Sequence, residues 1–241
     1  MVRGSSDVLG YLELFFGKSF TGKTARMLHE VRAVPRLVIV DPKCAQLKHL
    51  AGYKHLWPKY AGKPSRWVDG VTWKYFLKYS LQYGGSDLPL RAVIHVRDNF
   101  REQLELICDL LRAVGDLTLC VDELGLFIPS VGPSLPPAIT SAMISGRHEG
   151  LSFLGTAQRP ALVHVTARAN AERIRWYRVT ERNDLDAARN YMPLAVANSL
   201  PTLPDYVCIE TSDVREPFRD ESMVGKIKIL GASPRKGKPR K

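Results

Sequence analysis

Eight consecutive residues, Gly17, Lys18, Ser19, Phe20, Thr21, Gly22, Lys23 and Thr24, fit the spacing G-x-x-x-x-G-K-[ST]. A polyphosphate needs many donors at short range. A loop wrapped around it presents successive backbone N–H groups only if its tightest positions, here Gly17 and Gly22, tolerate unusual dihedrals. Lys23 would then reach the β and γ phosphates as a point charge, and the Thr24 hydroxyl would ligate Mg²⁺. A second group of chemical interest is the acidic pair Asp122 and Glu123, which follows the apolar stretch LTLCV. Asp122 is suited to hold the Mg²⁺, directly or through water, and Glu123 to polarise a water for attack on the γ-phosphate. Gln158, after the apolar run LSFLGTA, is a third candidate: its amide could bond both phosphate and attacking water, or could merely cap the next helix.

These residues need particular elements to hold them. Leu12, Leu14, Phe15 and Phe16 form a short apolar run before the loop, and ARMLHEVRA continues after it at helical spacing, so the loop joins a strand to a helix start, where an anion meets the positive helix end. RLVIVDP (36–42), LRAVIHVR (90–97), LTLCV leading to the acids, LSFLGTAQRP (151–160) and DYVCIET (205–211) read as further strands, the last of them closing the sheet. AERIRWYRVT (171–180) reads as an edge strand. Helices are predicted over 98–115, opened by Asp98 or Asn99 and closed by Gly115, and over 138–148 and 184–192. Strands alternating with helices favour an α/β fold with a mostly parallel sheet. Ligands bind such sheets at the carboxyl ends of the strands. If the Gln158 strand lay between the loop strand and the acidic strand, its amide would come near the γ-phosphate.

A chain of 241 residues with 45% hydrophobic content can bury a full core as one large domain. The expected organisation is a domain over 1–230 carrying a basic, aromatic-rich insertion at 43–90, then a flexible basic tail at 231–241. Four cysteines, Cys44, Cys108, Cys120 and Cys208, show no C-x-x-C pairing, so a zinc ribbon is not expected. No apolar stretch has the length to cross a bilayer, and the first residues lack the order of a secretion signal, so a protein that is not secreted is expected. The net charge of +11 is local: Lys43–Tyr79 carries eight Lys/Arg against Asp69 alone, 226–241 carries seven and no acid, and the remainder is therefore slightly acidic, about −3. Between 43 and 90 the lysines interleave with Tyr53, Trp57, Tyr60, Trp67, Trp73, Tyr75 and Tyr79, with VTWKYFLKYSLQ (71–82) at amphipathic helical spacing. Basic groups with stacking aromatics suit nucleic acid. Buried aromatics beside solvated lysines would give the same composition.

The loop GKSFTGKT, the acids of TLCVDE, and GRHEGLSFLGTAQRP with its glutamine after the strand together resemble the FtsK/HerA superfamily of DNA-pumping ATPases. The chain is most similar within it to genome-packaging ATPases of tailless, internal-membrane viruses with double jelly-roll capsids. The resemblance covers about residues 10–180 and implies a three-layer, RecA/ASCE-like P-loop NTPase fold with helices on both faces of the sheet. It further implies ATP and Mg²⁺ at the loop, double-stranded DNA as partner, a homo-oligomeric ring, commonly a hexamer, and contacts with capsid or packaging-vertex proteins, at that vertex or in host cytoplasm. An arginine reaching into the neighbour's site is also implied. Arg97 and Arg147 are the candidates, with Arg97 favoured because the family tends to carry this residue on the strand before the acidic one. Filamentous-phage assembly and Zot-like ATPases share these motifs but usually add a membrane span. The loop with Asp122, Glu123 and Phe127 also looks like thymidine kinase, whose paired zinc-site cysteines are missing here.

Overall fold

The computed structural model describes residues 10–43, 47, 50–56, 90–112, 115–212 and 227–231. The lead-in 1–9, most of the 43–90 insertion with its 71–82 stretch, and the tail after Gly231 lie outside the described residues. In chain order the elements are β1 (Leu12–Phe16), α1 (Lys23–Glu30), β2 (Arg36–Asp41), β3 (Lys54–Leu56), β4 (Leu90–His95), α2 (Phe100–Arg112), β5 (Leu117–Val121), α3 (Pro137–Ile144), β6 (Leu151–Ala157), α4 (Val165–Asn170), β7 (Arg173–Trp176), α5 (Arg182–Ala188), α6 (Leu194–Ser199), β8 (Cys208–Ser212) and β9 (Ile227–Leu230).

The nine described strands form one sheet in the order β3-β4-β2-β5-β6-β1-β7-β8-β9. β3 to β7 pair in parallel across that order, and β8 and β9 add two antiparallel strands. The central strands are continuous apolar runs because both faces are covered. Alternate residues divide between two layers. Phe15, Leu37, Ile39, Val93, Cys120 and Leu154 meet Met27 and Val31 of the α1 region on one face. Leu14, Phe16, Val38, Val40, Leu119, Val121 and Phe153 meet Leu104, Ile107 and Leu111 of α2 and Ile139 and Met143 of α3 on the other. Each such side chain contributes roughly 1.5–3 kcal/mol by leaving water, so the sheet's position between helices is settled by many small contributions rather than one contact.

Two expectations are corrected. β7 is an interior strand, paired with β1 on one side and β8 on the other. Arg175 is buried, with ion pairs to Glu13 (2.9 Å), Glu30 (3.2 Å) and Glu210 (2.8 Å) from three other elements, whereas Arg173 keeps 43% of its side chain exposed. Burial pushes the Glu13 carboxyl up to about 7 even with the Arg175 guanidinium beside it. β8 is not the last strand, since Ile227–Leu230 of the basic C-terminal stretch pairs with it. The helices are shorter than the sequence ranges, and α4 and α6 had no counterpart in them. No helix among the described residues is long and apolar enough to cross a membrane.

Candidate functional site

The Gly17–Thr24 loop leaves the carboxyl end of β1 and runs into α1. Gly17 (φ +149°) and Gly22 (φ +100°) occupy the left-handed region, and a Cβ on Gly22 would stand 2.5 Å from the Tyr206 ring. The loop is tied to its surroundings by Lys18 N–H donating to Arg178 O (2.9 Å) and Gly17 N–H to Ala157 O (3.2 Å). Thr21 Oγ1 and Lys23 Nζ both donate to Lys18 O, at 2.8 and 2.6 Å. Lys23 is only 7% exposed. Burial lowers its pKa to about 8, with Lys43 adding to the drop and Glu123 and Asp122 opposing it.

β5 ends where the backbone turns sharply: Glu123 sits at φ 55°, ψ 53°, left-handed for a residue with a Cβ, which costs roughly 1–2 kcal/mol. The turn sends Asp122 and Glu123 into the same cleft as the loop, about 500 Å³ in volume. Thr24 Oγ1 and Thr156 Oγ1 each donate to Asp122 Oδ1, at 2.8 and 2.7 Å, and Thr156 Oγ1 accepts from Glu123 N–H at 3.1 Å. Asp122 is 1% exposed, and among the described residues its Oδ2 has no hydrogen-bond partner, only Lys43 Nζ at 3.8 Å. A buried carboxylate oxygen left unpaired is costly unless a cation uses it. With the Thr24 hydroxyl beside it, this is a hard-oxygen donor set that fits Mg²⁺.

The Glu123 carboxylate is held from two sides. Oε1 accepts from Gln158 N–H (3.0 Å), and Oε2 accepts from Gln158 Nε2 (3.0 Å) and Lys43 Nζ (2.9 Å). Burial pushes this carboxyl up, but the Lys43 and Gln158 bonds and the Lys43 charge outweigh it and leave it below the usual range. It is therefore ionised at neutral pH, and Oε1, with two lone pairs and one bond among the described residues, has one position open.

The strand order β5-β6-β1 puts Gln158 between the loop and the acidic pair, where its amide grips Glu123. Two residues that hydrogen-bond the acidic pair had escaped sequence reading. Lys43, directly after β2, was submerged in a run of basic residues; the Asp-Pro-Lys step at a strand's carboxyl end was the available signal. Thr156 lies inside β6 with nothing in its neighbours to mark it. Neither arginine candidate lines the cleft. Arg97 is exposed two residues past β4, on the sheet edge that carries the site. Arg147 precedes β6, at the opposite edge, and pairs with Glu172 at 3.3 Å.

No family model matches the chain, and no curated protein matches it in sequence. Among solved structures it is similar to the genome packaging NTPase B204 from Sulfolobus turreted icosahedral virus 2. Against the complex of that protein with AMPPCP the TM-score is 0.63 at 19% identity, covering 93% of this chain and 98% of that one. Against its sulfate complex the TM-score is 0.65 at 17% identity, covering 91% and 95%. VirB4 of Thermoanaerobacter pseudethanolicus follows at 0.54 and 14% identity, covering 87% and 89%. At such identities the likeness establishes the shared P-loop NTPase α/β fold.

Proposed function

We propose that the chain is an ATP-hydrolysing motor that moves double-stranded DNA, of the kind that fills viral capsids. The observation that carries the hydrolytic part is the meeting of the Gly17–Thr24 loop and an ionised Glu123 in one cleft. The loop N–H groups and Lys23 bind the triphosphate. Thr24 and Asp122 are the residues that would hold Mg²⁺, which would neutralise phosphate charge there. Gln158 fixes the Glu123 carboxylate, whose remaining Oε1 lone pair takes the proton of the attacking water. Lys43 steadies the same carboxylate in its ionised form.

The DNA part is supported by the fold shared with a packaging NTPase and by the local basicity of the chain. In an assembled ring, Arg97 is the better placed arginine to stabilise a neighbour's transition state, since it lies on the edge that bears the cleft.

The test is steady-state ATP turnover of the full chain with and without double-stranded DNA. Turnover is expected to rise with DNA of any sequence, and the rise to fade between about 50 and 200 mM salt as phosphate contacts are screened. Turnover indifferent to DNA at low salt would remove the motor part, wild-type turnover by Arg97→Ala would remove that residue from its role, and phosphate transfer to thymidine would replace the whole reading.

The role of Lys43 has its own measurement. Lys43→Met deletes the charge and hydrogen bond that hold the Glu123 carboxyl down, so its pKa rises. A base is lost as pH falls through its pKa, so the acid limb of the kcat/KM profile should move to higher pH; the alkaline limb, set by Lys23, should move up as well, because the Lys43 charge is one cause of that ammonium's lowered pKa. An unmoved acid limb would show that Glu123 does not titrate in that profile.

A further inference from the structure

The cleft is chemically divided. Ser19, Lys23, Thr24, Lys43, Asp122, Glu123, Thr156 and Gln158 supply its polar part, whereas Phe20 and Tyr206 beside the loop, Ala25 and Leu28 of α1 and Leu47 beyond β2 supply apolar surface that phosphates and a hydrolytic water do not use. The sheet order says how the two parts are arranged. Gln158 and the acids follow β6 and β5, on one side of β1. Tyr206 lies two residues before β8, on the other side of β1, and because β8 runs antiparallel its start lies at the same sheet edge as the loop. The phosphate loop thus stands between the water-activating carboxylate and an aromatic ring.

Tyr206 is also held in an unusual way. Its side chain is aromatic, yet the residue is 56% exposed, and its backbone adopts φ +66°, a left-handed conformation rare for a bulky residue. The segment is fixed there by Tyr206 N–H donating to Thr21 O (3.0 Å) and by Arg178 pairing with Asp205 at 2.6 Å, Arg178 being the residue whose carbonyl receives Lys18 N–H. Gly22 has no Cβ at the point where the ring comes against the loop. Strain of this kind persists only where surroundings impose it, and here they hold an exposed ring beside the phosphate loop.

We propose that Tyr206 is the nucleobase platform: with the γ-phosphate directed toward Glu123, the base extends the other way and stacks on the Tyr206 ring. This rests on the nucleotide reading above and extends it to the base. The base is held chiefly by the area of the Tyr206 ring, so stacking rather than edge hydrogen bonding decides affinity. Purine triphosphates are accepted with little distinction between ATP and GTP, and CTP binds more weakly.

The test compares binding of ATP and of inorganic tripolyphosphate, by calorimetry with Mg²⁺, to the wild type and to Tyr206→Asn and Tyr206→Phe. Asparagine suits the left-handed backbone better than tyrosine, so it removes the ring while preserving the loop. ATP binding to Tyr206→Asn should weaken roughly 5- to 150-fold, the range a single base–aromatic stack is worth. Its tripolyphosphate binding should stay at the wild-type value, and Tyr206→Phe should bind both normally. Unchanged ATP binding by Tyr206→Asn, or equal weakening of ATP and tripolyphosphate, would overturn the platform and leave the phosphate site standing. A wild type that binds neither ligand would overturn the nucleotide reading, and the platform with it.

Discussion

Glu123→Gln is expected to bind ATP and to hydrolyse it about 10²- to 10⁴-fold more slowly than the wild type, the usual range for loss of a general base. The substitution preserves shape but not hydrogen-bonding sense. All three groups that reach the carboxylate are donors: Gln158 N–H, Gln158 Nε2 and Lys43 Nζ. An amide offers one acceptor oxygen where the carboxylate offers two, so its NH₂ faces at least one donor in either orientation. The site is built for a carboxylate, and the variant loses both proton acceptance and part of its positioning. Stability should change little, because Lys43 keeps 34% of its side chain exposed and is solvated once its partner is gone. Single-turnover hydrolysis and equilibrium binding, measured together, separate these effects; a rate within tenfold of wild type would assign the water to another group.

Lys23→Ala is expected to fail one step earlier, with triphosphate affinity falling on the order of 10²-fold or more and turnover falling with it. Charge-assisted bonds from an ammonium to phosphate are worth about 1.5–3 kcal/mol each in net stability scales, and more where water is excluded. Lys23 is nearly buried at the start of α1, its ammonium held inside the loop on Lys18 O. Its lowered pKa of about 8 gives the wild type a second signature. The protonated form binds phosphate, so ATP affinity should decline as pH rises through 8, and this decline should be absent from Lys23→Ala. Titrations by fluorescent nucleotide displacement at pH 7 and 9 would check both. An alanine variant with wild-type affinity would mean that the loop N–H groups suffice.

Much of the central sheet was legible because its strands are largely apolar runs, with β5 and β6 leading directly into the polar cleft residues Asp122 and Gln158. β1, β2, β5 and β6 were visible for that reason, and so was the placement of Gln158 once β6 was set between β5 and β1. What stayed hidden depends on partners distant in the chain. Arg175 looks solvated until Glu13, Glu30 and Glu210 are seen to surround it, and this is why β7 read as an edge. Lys43 is one lysine among many until β5 brings Glu123 to 2.9 Å. Thr156 carries no mark of its role, because its hydroxyl acts only through Asp122 and the Glu123 backbone. β9 is four residues long with one lysine inside it, too short for periodicity to show.

The groups assigned to hydrolysis come from four neighbouring strands at the middle of the nine, β2, β5, β6 and β1, and their following turns. The two outermost strands, β3 and β9, can therefore be lengthened, exchanged or fused to foreign modules without touching the reaction, whereas β4, β7 and β8 still carry Arg97, Arg178 and Tyr206 toward it. For lineages diversifying such an engine, and for engineers doing likewise, the middle is inherited hardware and the periphery is where new attachments can be tried.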